Sequence, residues 1–125
     1  MRNGLLYKDE VYKIVGAAMN VHIELGPGFL EPVYHEALEI EFTYLKIPYI
    51  SKPKIQIFYR NRKLKKYYEP DFLVYDKIVL EIKAIKMLTF VDEAQIINTI
   101  KSCKLNLGVL MNFGEPSLKW KRYIN

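Results

Sequence analysis

The sequence predicts an α/β fold in which a mixed central sheet is flanked by helices. Two segments near the start of the chain have the periodicity of amphipathic helices, and the middle of the chain alternates apolar and polar residues as strands do. A further helical segment then separates the last of these strands from a short apolar run. With 125 residues, half of them apolar or aromatic, the chain has the size of a single domain spanning residues 1–125.

The two N-terminal helices are predicted over residues 9–25 and 30–44. Apolar residues recur at intervals of three and four in both segments, as expected for a helix that packs one face on a core. Gly26 and Pro27 end the first helix, and Pro32 lies in the first turn of the second, where its missing N–H does no harm. A link this short predicts two helices packed side by side.

The middle of the chain is predicted to form a β-meander. Residues 54–59 alternate and are rich in β-branched and aromatic side chains, a polar break follows at residues 60–63, and further strands are predicted over residues 68–75 and 78–84. If Leu73 pairs with Val79, the antiparallel register also sets Asp71 opposite Glu81. The Cβ atoms of this pair would then lie about 5 Å apart.

A third helix and two last strands complete the predicted fold. Thr89 or Asp92 is positioned to cap a helix that continues through Lys104. Residues 105–112 are predicted to be a buried strand, and because a helix precedes it, this strand should lie parallel to the strand at 78–84 in a right-handed crossover. Residues 117–124 alternate loosely and are expected to form an edge strand.

Composition and charge narrow the functional classes. The formal charge of +5 and a pI near 9.2 suit a polyanionic partner such as nucleic acid. No stretch approaches the roughly 18 apolar residues of a membrane span, and the start of the chain lacks the apolar run of a signal peptide. The single Cys103 has no partner for an internal disulfide. We therefore expect a cytoplasmic protein with no membrane partner.

The predicted register gathers two carboxylates and a lysine. Glu81 and Lys83 are two residues apart in a strand, so they point to the same face, and Asp71 lies opposite Glu81. Carboxylates this close repel each other unless a cation lies between them or a pKa shifts. Hard oxygen ligands beside an ammonium group are suited to binding Mg²⁺ and hydrolysing a phosphodiester. The alternative is an ion pair between Glu81 and Lys83 on an exposed strand, and the apolar residues on the opposite face and the position of Asp71 argue against it.

The chain also resembles a known family. Gly28, Glu31 and Tyr34 have the spacing of a GxxExxY signature, and further matching segments follow in the right order over almost the whole chain. These segments are residues 21–31, Asp71-Phe72-Leu73-Val74, Glu81-Ile82-Lys83-Ala84, Ala94-Gln95 and Met111-Asn112-Phe113-Gly114. The chain is therefore similar to the GxxExxY proteins, a branch of the PD-(D/E)XK nuclease-like superfamily.

The resemblance implies a restriction-endonuclease-like core and a set of site residues. The implied ligands of Mg²⁺ or Mn²⁺ are three carboxylates and one backbone carbonyl: Glu31, Asp71, Glu81 and the carbonyl of Ile82. Lys83 would act on the attacking water, and Gln95 would be the additional helix residue of the exonuclease-like branches.

This chain departs from the family pattern at two positions on the third helix. Many relatives have His and Tyr where it carries Asp92 and Thr99, which puts contacts on the substrate side in question and leaves the inner metal site intact. Two of the implied site residues can also be interpreted as structural residues without a catalytic role. Glu31 is also an acid suited to the dipole of a helix start, and Gln95 is also a residue suited to a solvated helix surface.

Two residues outside this set are candidate accessory groups. His22 falls on the apolar stripe of the first helix, so it is either a hydrogen-bonded core histidine or a group near Glu31. Tyr34 is expected to pack between the helices with its hydroxyl near the site.

Basic residues interleaved with tyrosine are candidate contacts to nucleic acid. Arg60, Arg62 and Lys63 lie between two predicted strands, and Lys121 lies in the C-terminal strand. Such residues either contact phosphates or form a solvated turn and a lysine-rich strand edge that resists aggregation.

The sequence therefore favours a metal-dependent nuclease acting on DNA, with Mg²⁺ or Mn²⁺ as its cofactor. A catalytically inactive nucleic-acid-binding module and a small protein-interaction domain are the alternatives on the same fold. Clustered carboxylates argue for the nuclease, because a site without function has no physical reason to hold like charges together. Whether the chain forms a homodimer is left open.

Overall fold

Over residues 5–125, which are the residues it describes, the computed structural model contains three helices and seven strands. The start of the chain, residues 1–4, was part of the expected domain and of the search for a signal peptide, and it lies outside the described residues. The helices are α1 (Lys8–Leu25), α2 (Glu31–Tyr44) and α3 (Phe90–Ser102). The strands are β1 (Tyr49–Ser51), β2 (Ile55–Tyr59), β3 (Arg62–Tyr68), β4 (Phe72–Val74), β5 (Ile78–Lys83), β6 (Leu107–Asn112) and β7 (Lys119–Ile124).

The central sheet has five strands in the order β1-β4-β5-β6-β7. β5 and β6 are parallel and are connected through α3, whereas the other neighbours in the sheet are antiparallel. β7 lies at one edge of the sheet, as predicted. A mixed sheet flanked by helices confirms the predicted fold class and is consistent with a restriction-endonuclease-like core. None of the helices in residues 5–125 is long and apolar enough to cross a bilayer.

The two faces of the sheet are covered by different elements. Ile78, Leu80 and Ile82 of β5 are buried in a large apolar core shared with α1 and α2. Val79 lies in a smaller core with Ile96 of α3, on the other face. Because successive strand residues point to opposite faces, the same alternation directs the side chains of residues 81 and 83 toward the α3 side.

The predicted meander is replaced by two separate sheets. β2 and β3 form their own two-stranded sheet, and β1, which the sequence pattern did not reveal, takes the place beside β4. The strand predicted over residues 68–75 is divided, because Tyr68 ends β3 and β4 begins only at Phe72. Pro70 lies in the interval, and a proline cannot donate to a strand ladder. The chain bends there instead of continuing in one sheet.

The register predicted for the hairpin of β4 and β5 is confirmed. Leu73 pairs with Val79, and the neighbouring pairs are Phe72 with Leu80 and Val74 with Ile78. The ladder ends one pair short of Asp71, which lies in a bend directly before β4. Contacts outside the β4–β5 strand ladder therefore hold Asp71 beside Glu81.

Candidate active site

Two hydrogen bonds hold Asp71 against the end of β5, one to Glu81 and one to Ile82. The N–H of Asp71 donates to Oε1 of Glu81 at 3.2 Å, and the N–H of Ile82 donates to Oδ2 of Asp71 at 2.8 Å. Each carboxylate is thus oriented by a backbone N–H of the opposite strand segment. These two hydrogen bonds, formed beyond the end of the strand ladder, fix the relative placement of the two side chains.

Glu31 is the first residue of α2 and lies near this pair. Glu31 and Asp71 line one cleft of about 310 Å³, to which His35 and Lys52 also contribute. The N–H of Lys52 donates to the carbonyl of Asp71 at 2.9 Å, which fastens the chain after β1 to the same bend. Glu31 therefore shares a cleft with Asp71, and it is close enough to Glu81 for their charges to interact.

The loop before Glu31 is held by Tyr34. The hydroxyl of Tyr34 donates to the carbonyl of Gly26 at 2.6 Å and accepts from the N–H of Phe29 at 3.2 Å. Gly28, between them, has a φ of 114°, a conformation that favours glycine. The hydroxyl of Tyr34 thus fixes the loop that presents Glu31, which explains the spacing of glycine, glutamate and tyrosine in the signature.

Lys83 faces an acidic residue at the start of α3. Its Nζ lies 3.8 Å from Oδ1 of Asp92. Asp92 is oriented by a capping box, because its Oδ2 accepts from the N–H of Thr89 at 2.8 Å while the Thr89 hydroxyl accepts from the N–H of Asp92. Both residues predicted to start this helix take part in the cap. Asp92, which departs from the pattern expected from the family resemblance, therefore adjoins the candidate lysine.

Gln95 lies one helical turn beyond Asp92 and is exposed. Within residues 5–125, no hydrogen bond joins its side chain to the carboxylates, and its carbonyl accepts from the hydroxyl of Thr99 at 2.8 Å. A catalytic role for Gln95 stays a prediction.

Burial favours the protonated forms of the three carboxyl groups and so raises their pKa values. It raises the pKa of Glu81 to about 7, with a smaller contribution from Glu31, and against the opposing effects of the Asp71 N–H and Lys83. Burial likewise raises the pKa values of Asp71 and Glu31, and the charge of Asp71 adds to the effect on Glu31. Without a cation, the cluster is therefore electrostatically unfavourable in its fully ionised form.

The donor set fits a hard divalent cation. Among residues 5–125, no group of three or more His, Cys, Asp or Glu side chains has the arrangement of a ready metal cage. Mg²⁺ is commonly bound by only one or two carboxylates, with waters and substrate phosphates completing its octahedron. Asp71 and Glu81 supply that number, and the hydrogen bonds from the backbone engage one oxygen of each.

His35 is a site residue that the sequence analysis missed. Its Nδ1 lies 3.7 Å from Oδ1 of Asp71, its Nε2 lies 2.7 Å from the hydroxyl of Ser51, and its ring stacks on Phe72 at 4.2 Å. A signal for it existed, because residues 31, 35 and 39 share one face of a helix. Ser51, the partner that orients the ring, lies in the strand that the pattern did not reveal.

Asn112 fixes the chain that follows Lys83. The buried amide of Asn112 donates to the carbonyl of Ile85 at 2.8 Å and accepts from the N–H of Ile85 at 3.0 Å. A Cβ on Gly114 would lie only 2.1 Å from the same carbonyl, so only glycine fits there. The Met111-Asn112-Phe113-Gly114 segment therefore anchors the end of β5.

The remaining predicted residues lie apart from the carboxylate cluster. His22 is buried, and its Nε2 donates to the carbonyl of Glu115 at 2.9 Å, an arrangement that suits a hydrogen-bonded core histidine. Lys121 on β7 forms an ion pair with Glu93 at 3.3 Å. Arg60 lies in the turn between β2 and β3, and β3 starts with two further exposed cations, Arg62 and Lys63.

Comparison with protein-family models supplies an independent finding. Residues 8–123 match the model of the PD-(D/E)XK nuclease superfamily, which covers the chain from α1 into β7. No curated protein and no solved structure matches the chain. The likeness to the GxxExxY branch stays a resemblance, whereas the match to the superfamily spans nearly every element described above. The chain belongs to the PD-(D/E)XK nuclease superfamily.

Proposed function

We propose that the protein is a metal-dependent nuclease that hydrolyses phosphodiester bonds in DNA. Membership of the superfamily supports a nucleic acid as the substrate. The observation that carries the proposal is the half-buried pair of Asp71 and Glu81, each held by a backbone N–H of the other strand segment, with Lys83 on the same strand as Glu81. A pair of carboxylates with raised pKa values is a site prepared for a cation.

Asp71, Glu81, Glu31 and the carbonyl of Ile82 would hold Mg²⁺ or Mn²⁺. Such an ion supplies Lewis-acid stabilisation of the phosphate oxygens and lowers the pKa of a bound water. The ammonium of Lys83 stabilises the negative charge that develops on the phosphoryl group.

His35 is proposed to orient Asp71. When Asp71 is ionised, an N–H at Nδ1 of His35 is the favourable partner for its carboxylate, and Ser51 then donates to the other ring nitrogen. The ring is also restrained by its stacking on Phe72. His35 thus limits the rotation of the Asp71 side chain.

A binding module without chemistry is the alternative, and the exposed strand β3 supports it. Four cations, Arg62, Lys63, Lys65 and Lys66, occupy this strand and are exposed. Exposed cations bind the phosphate backbone whether or not a metal is present.

Cleavage assays with a matched variant separate the two functions. Linear, circular, single-stranded and duplex DNA would be incubated with Mg²⁺, Mn²⁺ or EDTA, using the wild type and Glu81→Gln, which keeps the shape of the side chain and removes its charge. We expect metal-dependent cleavage by the wild type alone. DNA binding without cleavage of any form by the wild type would leave the binding module as the function.

Thermal unfolding tests the metal site without any substrate. Mn²⁺ or Mg²⁺ should raise the melting temperature, because a ligand of the folded state at a hundred times its Kd adds about 2.7 kcal/mol of stability. Asp71→Asn should remove most of this shift. A wild-type melting curve that saturating divalent metal does not change would refute the metal site.

A further inference from the structure

Exposed apolar side chains border the candidate active site on two sides. One group precedes α2 and the other surrounds the start of α3, and Leu30 and Phe90 are 79% and 84% exposed. We define the apolar rim as five exposed side chains: Phe29, Leu30, Met87, Phe90 and Val91. Large apolar groups exposed in this way face water at an energetic cost. A concentration of them therefore indicates a binding surface for a ligand or a macromolecule.

Both parts of the apolar rim lead directly into the site. Leu30 immediately precedes Glu31, which lines the cleft with Asp71. Phe90 stands two residues before Asp92, whose carboxylate lies 3.8 Å from the Lys83 ammonium. Since neighbouring Cα atoms are about 3.8 Å apart, each aromatic residue of the rim begins within about 8 Å of a charged residue of the site.

The backbone beneath the apolar rim is held firmly. The N–H of Phe29 donates to Tyr34, and the two rings meet edge to face at 6.2 Å. On the other side, Asn112 binds both backbone groups of Ile85, and Leu88 packs against the smaller apolar core. The rim residues before α2 therefore lie on a hydrogen-bonded loop, and Phe90 and Val91 lie in the first turn of α3, so their backbone is ordered as expected of a prepared binding surface.

Exposed apolar side chains far from the site have different surroundings. Tyr44 at the far end of α2 is 78% exposed, and Ile23 on α1 is also exposed. Neither residue adjoins the charged side chains of the candidate site. Scattered exposed apolar residues are normal on protein surfaces. The five members of the rim differ because they are concentrated in two short segments at one site.

We propose that the apolar rim binds unpaired bases next to the phosphate that is cleaved, so that the preferred substrate is single-stranded or locally unpaired DNA. This inference rests on the proposed nuclease function of the same site. A DNA strand offers anionic phosphates, which suit the cation site and Lys83, and base faces, which suit aromatic and aliphatic side chains. In a closed duplex the base faces are stacked on one another, so only an unpaired strand offers both.

Binding in EDTA tests the inference separately from cleavage. A fluorescently labelled single-stranded DNA and a covalently closed duplex of the same sequence would be titrated with the wild type, Phe29→Ala and Phe90→Ala. We expect each variant to bind the single strand about tenfold more weakly, since base stacking on an aromatic side chain is worth about 1–3 kcal/mol. Affinity for the closed duplex should change much less.

Two control variants sharpen the assay. Phe90→Tyr keeps the aromatic face and should bind the single strand as the wild type does. Tyr44→Ala removes an equally exposed aromatic ring about 20 Å along α2 from Glu31, and it should bind normally. Equal melting temperatures would show that every variant is folded.

The outcomes distinguish this inference from the proposed function. Wild-type affinity of Phe29→Ala and Phe90→Ala for single strands, in a protein that cleaves DNA, overturns the role of the apolar rim and leaves the nuclease intact. Weakened binding by both variants, in a protein that cleaves nothing, supports the rim and removes the nuclease. A wild-type dimer that Phe90→Ala converts to a monomer would identify the rim as an interface between copies, and the inference would be wrong.

Discussion

The β2–β3 and β4–β5 hairpins each turn through two consecutive residues with a positive φ. Tyr75 and Asp76 between β4 and β5 have φ values of 55° and 60°, and Arg60 and Asn61 between β2 and β3 have values of 51° and 62°. Consecutive left-handed residues match the twist of a tight hairpin. The two hairpins differ in their surroundings, because β4 and β5 lie inside the central sheet and every residue of β3 before Tyr68 is exposed.

This difference determines what the charged residues of each hairpin do. In the inner hairpin, formed by β4 and β5, burial raises the pKa of Glu81 to about 7, so its protonated form is favoured when no cation lies beside it. In the outer hairpin, formed by β2 and β3, Lys63 and its neighbours remain in water. Charges in water are screened and interact weakly with any one partner. Similar local structure therefore yields a candidate reaction centre in one place and a candidate binding surface in the other.

Replacing one lysine in each hairpin should give the largest contrast. Lys83→Ala is expected to lower the cleavage rate roughly 10²- to 10³-fold, the loss typical of one preorganised charge that stabilises the transition state, with little change in DNA affinity. Lys63→Ala should leave the cleavage rate unchanged and weaken binding slightly. Single-turnover cleavage and DNA titration measure the two effects. Equal cleavage rates of the two variants would contradict the distinction.

Replacing one asparagine near each hairpin compares their anchoring. Asn112→Ala leaves the partly buried backbone groups of Ile85 without their side-chain partner, so the free energy of unfolding should fall by about 3 kcal/mol. Asn61→Gly keeps the left-handed turn and removes only an exposed hydrogen bond from Lys104, so the change should stay within about 0.5 kcal/mol. Denaturant unfolding gives both values. A mild effect of Asn112→Ala would mean that the end of β5 is not fixed by this side chain.

The pH dependence of stability tests the buried carboxylate. Because the pKa of Glu81 in the folded protein is about 7 and its ordinary value is 4.5, the folded state binds the proton more tightly. The resulting stability is fully present below pH 4.5 and is lost as the pH rises through 7, by at most about 3 kcal/mol. In EDTA, Glu81→Gln should show a flatter profile than the wild type. Identical profiles would place Glu81 in a more solvated environment.

Cations of the outer hairpin should control the salt dependence of binding. Arg62→Ala with Lys63→Ala is expected to reduce the slope of log K against log salt by about 0.9 for each phosphate that the strand no longer neutralises. Lys8→Ala with Lys13→Ala removes the same charge from α1 and should have a smaller effect. Arg60 is left unchanged because it lies in the turn and outside β3. Equal slopes in the two double variants would mean that β3 is a solvated strand whose cations do not contact phosphates.

Periodicity predicted the parts of the fold in which one pattern dominates. α1, α2 and the β4–β5 register followed from spacing, because helix faces and paired strands place residues by fixed intervals. β1 has only three residues, too few to show a period. The separation of β2 and β3 from the central sheet depends on packing between distant segments, which no local pattern encodes.

The candidate site was predictable to a similar degree. Asp71, Glu81 and Lys83 could be connected through the hairpin register, whereas His35 gains its meaning from Ser51 in the undetected strand. The hydrogen bonds of Asn112 to Ile85 join residues that are distant in sequence, so their spacing carried no signal. The orientation of Asp92 toward Lys83 likewise depends on how α3 docks on the sheet.

The parallel pairing of β5 with β6 implies an order of assembly. Phe72 and Leu80 of the inner hairpin are eight residues apart, whereas Ile78 pairs with Leu107, 29 residues later. Closing the longer loop costs about 1 kcal/mol more in chain entropy, so we expect the inner hairpin to form before β6 joins the sheet. Folding kinetics of hairpin and Asn112 variants would measure this sequence of events. A folding chain would therefore hold both carboxylates in register before Asn112 secures the segment beyond Lys83.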